Sequence, residues 1–189
     1  MMVEQLLEQR CGMIIIDKYD AVEALLQQEI VAIFQGSSEY GPRALGNRSF
    51  LFDPRNKKGK DIVNKVKKRE WFRPFAGTIL LEFAREWFEM GTIQESSWMS
   101  FAIPVKKDKK DLIPSIIHAD GTCRIQTVTQ KQNKNFYNLI KAFYEKTNIP
   151  ILFNTSFNLA GEPLVETLED AKDVLIRASV KYLYLPENQ

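Results

Sequence analysis

The sequence predicts a mixed α/β fold, an open β-sheet with helices packed against it. Three observations carry that expectation. Residues 150–185 read strand, helix, strand, an order that implies a right-handed crossover between parallel neighbours. Apolar stretches at 99–105 and 118–128 flank a charged turn and read as strands able to pair antiparallel. Between the strands, apolar residues recur at helical spacing, most clearly Phe136, Leu139, Ile140, Phe143 and Tyr144.

In chain order, residues 20–29 predict a helix with Asp20 as N-cap, followed by a buried strand, VAIFQ, at 31–35. The segment EYGPRALGNRSF, 39–50, is broken by Gly41, Pro42 and Gly46 and holds Arg43 and Arg48. Proline suits a first helical position, so one or two helical turns are expected here, with free backbone N–H groups forming an anion seat. A basic helix follows at about 57–69, striped by Ile62, Val63 and Val66, with Lys67 at the stripe's edge. WFRPFAGTILLEF, 71–83, starts irregularly and becomes a strand, and Pro104 argues that strand 99–105 lies at a sheet edge or ends there. Asp120-Gly121 marks a turn into a strand that puts Arg124 and Gln126 on one face. Asn133 caps the helix 133–147, Thr167 and Asp170 form a capping box for a helix ending near Ala178, and KYLYL is the last strand.

At 189 residues the chain is expected to be a single domain, 1–189, able to bury roughly 70% of its unfolded surface. Hydrophobic residues make up 44% and charged ones 26%, ordinary for a globular chain. The net charge is only +2, but Arg55–Arg73 carries nine Lys/Arg against Asp61 and Glu70. With so small a global excess, steering toward nucleic acid is not indicated. Two cysteines, Cys11 and Cys123, without C-x-x-C spacing argue against a disulfide framework and a thiolate zinc site. The start of the chain lacks the pattern of a signal peptide and no window approaches a membrane span, so a cytoplasmic location is expected.

The common phosphate-binding and hydrolase loops, G-x-x-x-x-G-K-[ST], G-x-G-x-x-G and G-x-S-x-G, are absent. A lone histidine, His118, cannot build a histidine-pair metal site, and a triad with Ser156 and Asp120 lacks a nucleophile elbow. Basic residues are the stronger signal. Lys67, Lys68 and Arg69 have a plain alternative as solvated cations complementing a helix C-terminus. Arg73 sits between aromatics and before Pro74, which predicts a packed stem and an aimed head. Arg124 faces with Gln126, while Asn154 and Ser156 follow a core strand, where ligands of open α/β sheets settle. Together these side chains describe a site for a polyanion, and a nucleoside triphosphate is the economical ligand. A nucleotide- or RNA-binding module without catalysis is the rival reading.

The motifs EYGPRALGNRS, VKKREWFRPFA, HADGTCRIQTV and NTSFNLAGEPLV, in that order, resemble the C-terminal domain of nodulation-protein-U type O-carbamoyltransferases. The resemblance runs from about Ala21 to Leu185. It implies a YrdC-like open, twisted mixed sheet and the use of ATP and carbamoyl phosphate, with Mg²⁺, to make carbamoyl-adenylate. It implies also that a Kae1-like N-terminal domain, with its iron site, performs the transfer to a hydroxyl and is absent from this chain. Carried over by motif, Lys67 and Arg73 are the implied catalytic residues, and Arg43, Arg124, Asn154 and Ser156 the nucleotide and phosphate contacts. Ser37, Trp71 and Gly77 depart from the family pattern, and the last two are expected to loosen the loop that aims Arg73.

Overall fold

A computed structural model describes residues 12–186; Cys11 and the residues before it, read above for a signal peptide, lie outside them. Eight strands form one sheet: β1 (Ile14–Ile16), β2 (Val31–Phe34), β3 (Arg48–Phe52), β4 (Ala76–Leu80), β5 (Phe101–Pro104), β6 (Thr122–Val128), β7 (Ile151–Ser156) and β8 (Tyr182–Tyr184). Their spatial order is β1-β8-β2-β3-β7-β4-β6-β5. Pairing is mixed, with β1/β8, β2/β8 and β4/β6 parallel and the remaining four pairs antiparallel. The expected α/β class and the β5/β6 pairing are both observed. Pro104 ends the edge strand β5, where a missing N–H costs no ladder bond.

Among the described residues the α-helices are α1 (Lys18–Leu26), α2 (Gly59–Val66), α3 (Ala84–Trp87), α4 (Lys134–Thr147) and α5 (Leu168–Ala178). Asn133 caps α4 through Phe136 N, and Thr167 with Asp170 forms the capping box of α5. In α4 the stripe Phe136, Leu139, Ile140 and Phe143 is fully buried, and the helix packs on α1 and on β4 and β7. Strands β3 and β4 are buried at every residue, so both faces of the sheet centre are covered.

Several expectations need correction. Asp17, not Asp20, caps α1: its carboxylate accepts from Asp20 N at 2.8 Å. Strands β7 and β8 run parallel but are not neighbours, because β2 and β3 lie between them. Those two strands pair antiparallel within the crossover, and β3 was missed in the sequence because a strand buried on both faces shows no alternation. The basic helix is shorter than expected and stops at Val66. No helical turn forms at 41–46, since Gly41 (φ 131°) and Gly46 (φ 108°) both take backbone conformations incompatible with a helix. Gly77 lies inside β4 rather than in a loop, and a Cβ there would meet Ile116 at 2.6 Å. It is a packing requirement and loosens nothing.

Candidate functional site

The register of the sheet builds the site. Ala76 of β4 pairs with Arg124 of β6 on one side and with Asn154 of β7 on the other. Residues paired in this way project to the same face, so the alanine's small side chain leaves a gap between an arginine and an asparagine. A cavity opens over that gap, walled by Arg43, Arg69, Arg124, Pro74, Phe75, Met99 and Asn154–Ser156.

Its cations are crowded. Arg69 and Arg124 are half-buried, and each lies close enough to a neighbour to be disfavoured by it: Arg124 beside Arg43, and Arg69 beside Arg73 and Arg124. Burial, then these like charges, push Arg69 down to about 10, and burial followed by Arg43 lowers Arg124. Arg69 is anchored by Asn64 Oδ1 at 2.6 Å and stacks over Phe75 at 4.1 Å, but its Nη2 is buried without a partner. Arg124 Nε is likewise buried and unpartnered. Among the described residues no carboxylate lines the cavity. Buried donors left unpaired among mutually repelling cations are groups that an anion would satisfy.

Lys67 lies beneath this wall, 2% exposed, and its ammonium donates to Ser156 O (2.5 Å), Asn158 O (2.9 Å), Asn158 Oδ1 (2.8 Å) and Ser156 Oγ (3.2 Å). The solvated alternative for Lys67 is therefore excluded. Burial, then the charge of Arg69, lowers it to about 7, while the four oxygens favour the ammonium. Ser156 Oγ donates in turn to Asn158 Oδ1 at 2.7 Å. Lys67 thus fixes the strand end that presents Ser156 to the cavity.

The segment 39–48 carries its own anion. Glu39 Oε1 accepts from the backbone N–H of Leu45 (2.7 Å), Asn47 (2.8 Å) and Arg48 (3.4 Å), so the amides expected to form an open anion seat are occupied by this carboxylate. The two arginines of the segment separate in role. Arg43 borders the cavity. Arg48 is 3% exposed and donates to the carbonyls of Gln35, Gly36, Asn47 and Glu166 while stacking over Phe34 at 3.6 Å.

Of the residues singled out in the sequence, Arg43, Arg124, Asn154 and Ser156 meet at one cavity. Asn154 is 1% exposed and donates to Ala44 O, Thr78 Oγ1 and Gln126 Oε1, which ties the 42–45 loop to the sheet. Arg73 is not packed as expected: its side chain is 54% exposed and pairs with Glu70 at 2.7 Å, outside the cavity wall. Trp71 and Phe72 beside it are exposed too, so the aromatics provide no burial for its stem. His118 bonds Phe75 O (3.0 Å) and Thr122 Oγ1 (3.2 Å), not Ser156, so no triad exists. Sequence reasoning missed Arg69, grouped with the solvated cations, and Asn158. The spacing Lys67-x-Arg69 beyond the end of a helix was the available signal, because a residue two positions past a buried lysine in a turn can reach the same cavity.

Comparison with known proteins places these features in context. The chain is 46% identical over 153 residues to nodulation protein NolNO of Sinorhizobium fredii, covering 80% of this chain and 22% of that protein. It is 38% identical over 137 residues to nodulation protein U of Azorhizobium caulinodans, covering 72% and 24%. The chain therefore spans about a quarter of the length of these relatives. Among solved structures it resembles full-length HypF in a phosphate- and nucleotide-bound form (TM-score 0.66, 18% identity, 90% of this chain and 25% of that one). It also resembles a P. abyssi Sua5 variant (TM-score 0.60, 12% identity, 92% and 49%), so the fold is YrdC-like. A family model described as carbamoyltransferase C-terminus matches residues 22–188, and the chain belongs to that family of carbamoyltransferase C-terminal domains.

Proposed function

We propose that this domain activates a carbamoyl group by joining it to a nucleotide, forming carbamoyl-adenylate from ATP and carbamoyl phosphate. The observation that carries the reading is the cavity where Arg43, Arg69 and Arg124 converge with unpartnered buried guanidinium nitrogens. Water hydrolyses carbamoyl phosphate to carbamate, inorganic phosphate and a proton, and a carbamate oxygen then attacks the α-phosphorus of ATP. The bond from that phosphorus to the bridging oxygen breaks, and pyrophosphate leaves with the electron pair. Two anions must approach each other, so preorganised cations are the main resource such a step needs. Arg69 and Arg124 face the reacting phosphoryl group, and Arg43 holds the outer phosphates from the loop side. The Ser156 hydroxyl, still accepting from Lys67, turns its proton from Asn158 Oδ1 to a phosphate oxygen. Arg73 reaches the same anion by exchanging Glu70 for it.

The cavity wall offers Mg²⁺ no carboxylate, and no cluster of His, Cys, Asp or Glu able to hold a metal occurs among the described residues. The residues do not form a resident Mg²⁺ site, and the ion enters as the counter-ion of the nucleotide substrate. Transfer to the acceptor hydroxyl belongs to a Kae1-like portion outside this chain, an assignment supported by the length of the relatives.

The chain incubated with ATP, carbamoyl phosphate and Mg²⁺ is expected to release pyrophosphate only when both substrates are present. Arg124→Ala and Arg69→Ala should each reduce that release at least tenfold. Equal release by wild type and both variants would remove the catalytic assignment. A melting temperature raised by ATP, without pyrophosphate, would leave a nucleotide-binding module instead.

A further inference from the structure

The turn after α2 delivers Arg69 to the cavity, and one side chain of the helix shapes that delivery. Helix α2 closes in a Schellman motif: Lys68 N–H donates to Lys65 O and Arg69 N–H to Asn64 O, both at 3.1 Å, with Lys68 left-handed at φ 54°. Asn64 is third from the end of the helix, and Arg69 is the second residue past its cap. In this motif the side chains at those two places commonly make an apolar contact, which suffices to end a helix. Here they are an amide and a guanidinium, joined by Arg69 Nε donating to Asn64 Oδ1 at 2.6 Å. A polar pair stands where an apolar one would serve the fold.

The amide has one orientation. Its Nδ2 donates to Trp71 O at 3.0 Å and to Arg73 O at 3.3 Å, and carbonyl oxygens only accept, so Oδ1 is the end that faces Arg69. Asn64 is 1% exposed, so water does not compete for either end. Arg69 is then held at Nε by the amide and on one face by the Phe75 ring at 4.1 Å, while its Nη2 stays buried with no partner. Those two constraints set both the plane and the direction of the guanidinium. The acceptor is also neutral. A carboxylate in its place would hold Arg69 as firmly but cancel its charge, whereas an amide orients the group and leaves the charge for a ligand.

We propose that Asn64 is a positioning residue of the anion site, acting through Arg69 by fixing its guanidinium toward the cavity before any ligand arrives. The proposal rests on the reading of that cavity as the seat of a phosphorylated ligand, and adds to it the group that preorganises one of its arginines.

Calorimetric titration with pyrophosphate, across a double-mutant cycle of Asn64→Leu and Arg69→Ala, tests it. Leucine is close to asparagine in size and makes the apolar contact usual in the motif, so the change removes the acceptor and keeps the helix end. Asn64→Leu should weaken pyrophosphate binding about five- to tenfold when Arg69 is present. In the Arg69→Ala background, where Arg43 and Arg124 still hold the anion, the same change should cost about twofold or less. An equal loss in both backgrounds, or no loss in either, would overturn the proposal and leave the anion site standing. Proton NMR of the wild type adds a reading that no folding defect can obscure. The Arg69 Nε–H resonance, identified by its loss in Arg69→Ala, should be protected from solvent exchange before any anion is added. An unprotected resonance would overturn the proposal by itself. If wild type binds neither pyrophosphate nor ATP, the anion reading falls and the role of Asn64 with it.

Discussion

Arg124 and Asn154 stand in one lateral row of the sheet, separated only by Ala76. The room for a ligand exists because the middle residue is small. Ala76 is 2% exposed, so a longer side chain there must enter the cavity or the packed strands beside it. Ala76→Leu is expected to lower affinity for pyrophosphate at least tenfold while costing about 1–3 kcal/mol of stability through overpacking. Calorimetric titration and urea unfolding of the same preparation check both halves. Pyrophosphate binding that survives would mean the row is not the floor of the anion site.

Arg43, in the loop before β3, and Arg48, the first residue of β3, lie five positions apart and should respond oppositely to truncation. Arg43→Ala removes a cavity-lining guanidinium that makes a long, exposed hydrogen bond to Pro42 O at 3.4 Å, so anion affinity should fall with stability changed by about 0.5 kcal/mol or less. Arg48→Ala leaves the carbonyls of Gln35, Gly36 and Glu166 without their donor and should cost about 2–4 kcal/mol. Chemical denaturation and pyrophosphate titration of the two variants separate the roles. Reversed effects would show that the loop presents the wrong arginine.

The sign of the Lys67 effect on stability can be worked out from its burial. The folded chain loses this proton at about 7, while the unfolded chain keeps it until about 10.5. Between those values the unfolded state binds more protons, so stability rises with pH across the window and is insensitive to Lys67 below it. Wild type should therefore gain stability between pH 6.5 and pH 9.5 relative to Lys67→Met. Identical slopes in urea unfolding would mean that the oxygens of Ser156 and Asn158 hold the ammonium charged throughout.

What the sequence disclosed follows from how local each signal was. Asn133 and the Thr167–Asp170 box declared their helices because a cap and its partners lie within three residues. The Arg124–Gln126 face was equally readable, since alternation in a strand needs no tertiary information. Strand β3 escaped because it is buried on both faces and so shows no alternation. The displacement of Arg73 to Glu70 and the promotion of Arg69 to the cavity depend on how the turn after α2 closes. A left-handed residue there, Lys68 at φ 54°, sets that closure and carries no glycine to announce it. Glu39 was invisible for a similar reason: its partners are backbone N–H groups, which no residue type betrays.

Glu39 supplies the last prediction. Its single oxygen Oε1 gathers the N–H groups of Leu45, Asn47 and Arg48, an arrangement that an external anion could also satisfy. Glu39→Ala should destabilise the chain by about 1.5–3 kcal/mol, the value of hydrogen bonds to a charged acceptor. It should also leave three inward-facing amides able to take a small anion. In an Arg124→Ala background, which weakens the cationic cavity, phosphate should then raise the melting temperature of the Glu39→Ala variant more than that of its Glu39 parent. The parent has those amides filled and gains nothing at this position. Equal phosphate shifts in the two proteins would show that the loop collapses when the carboxylate is lost, and that Glu39 holds its shape rather than merely occupying a seat.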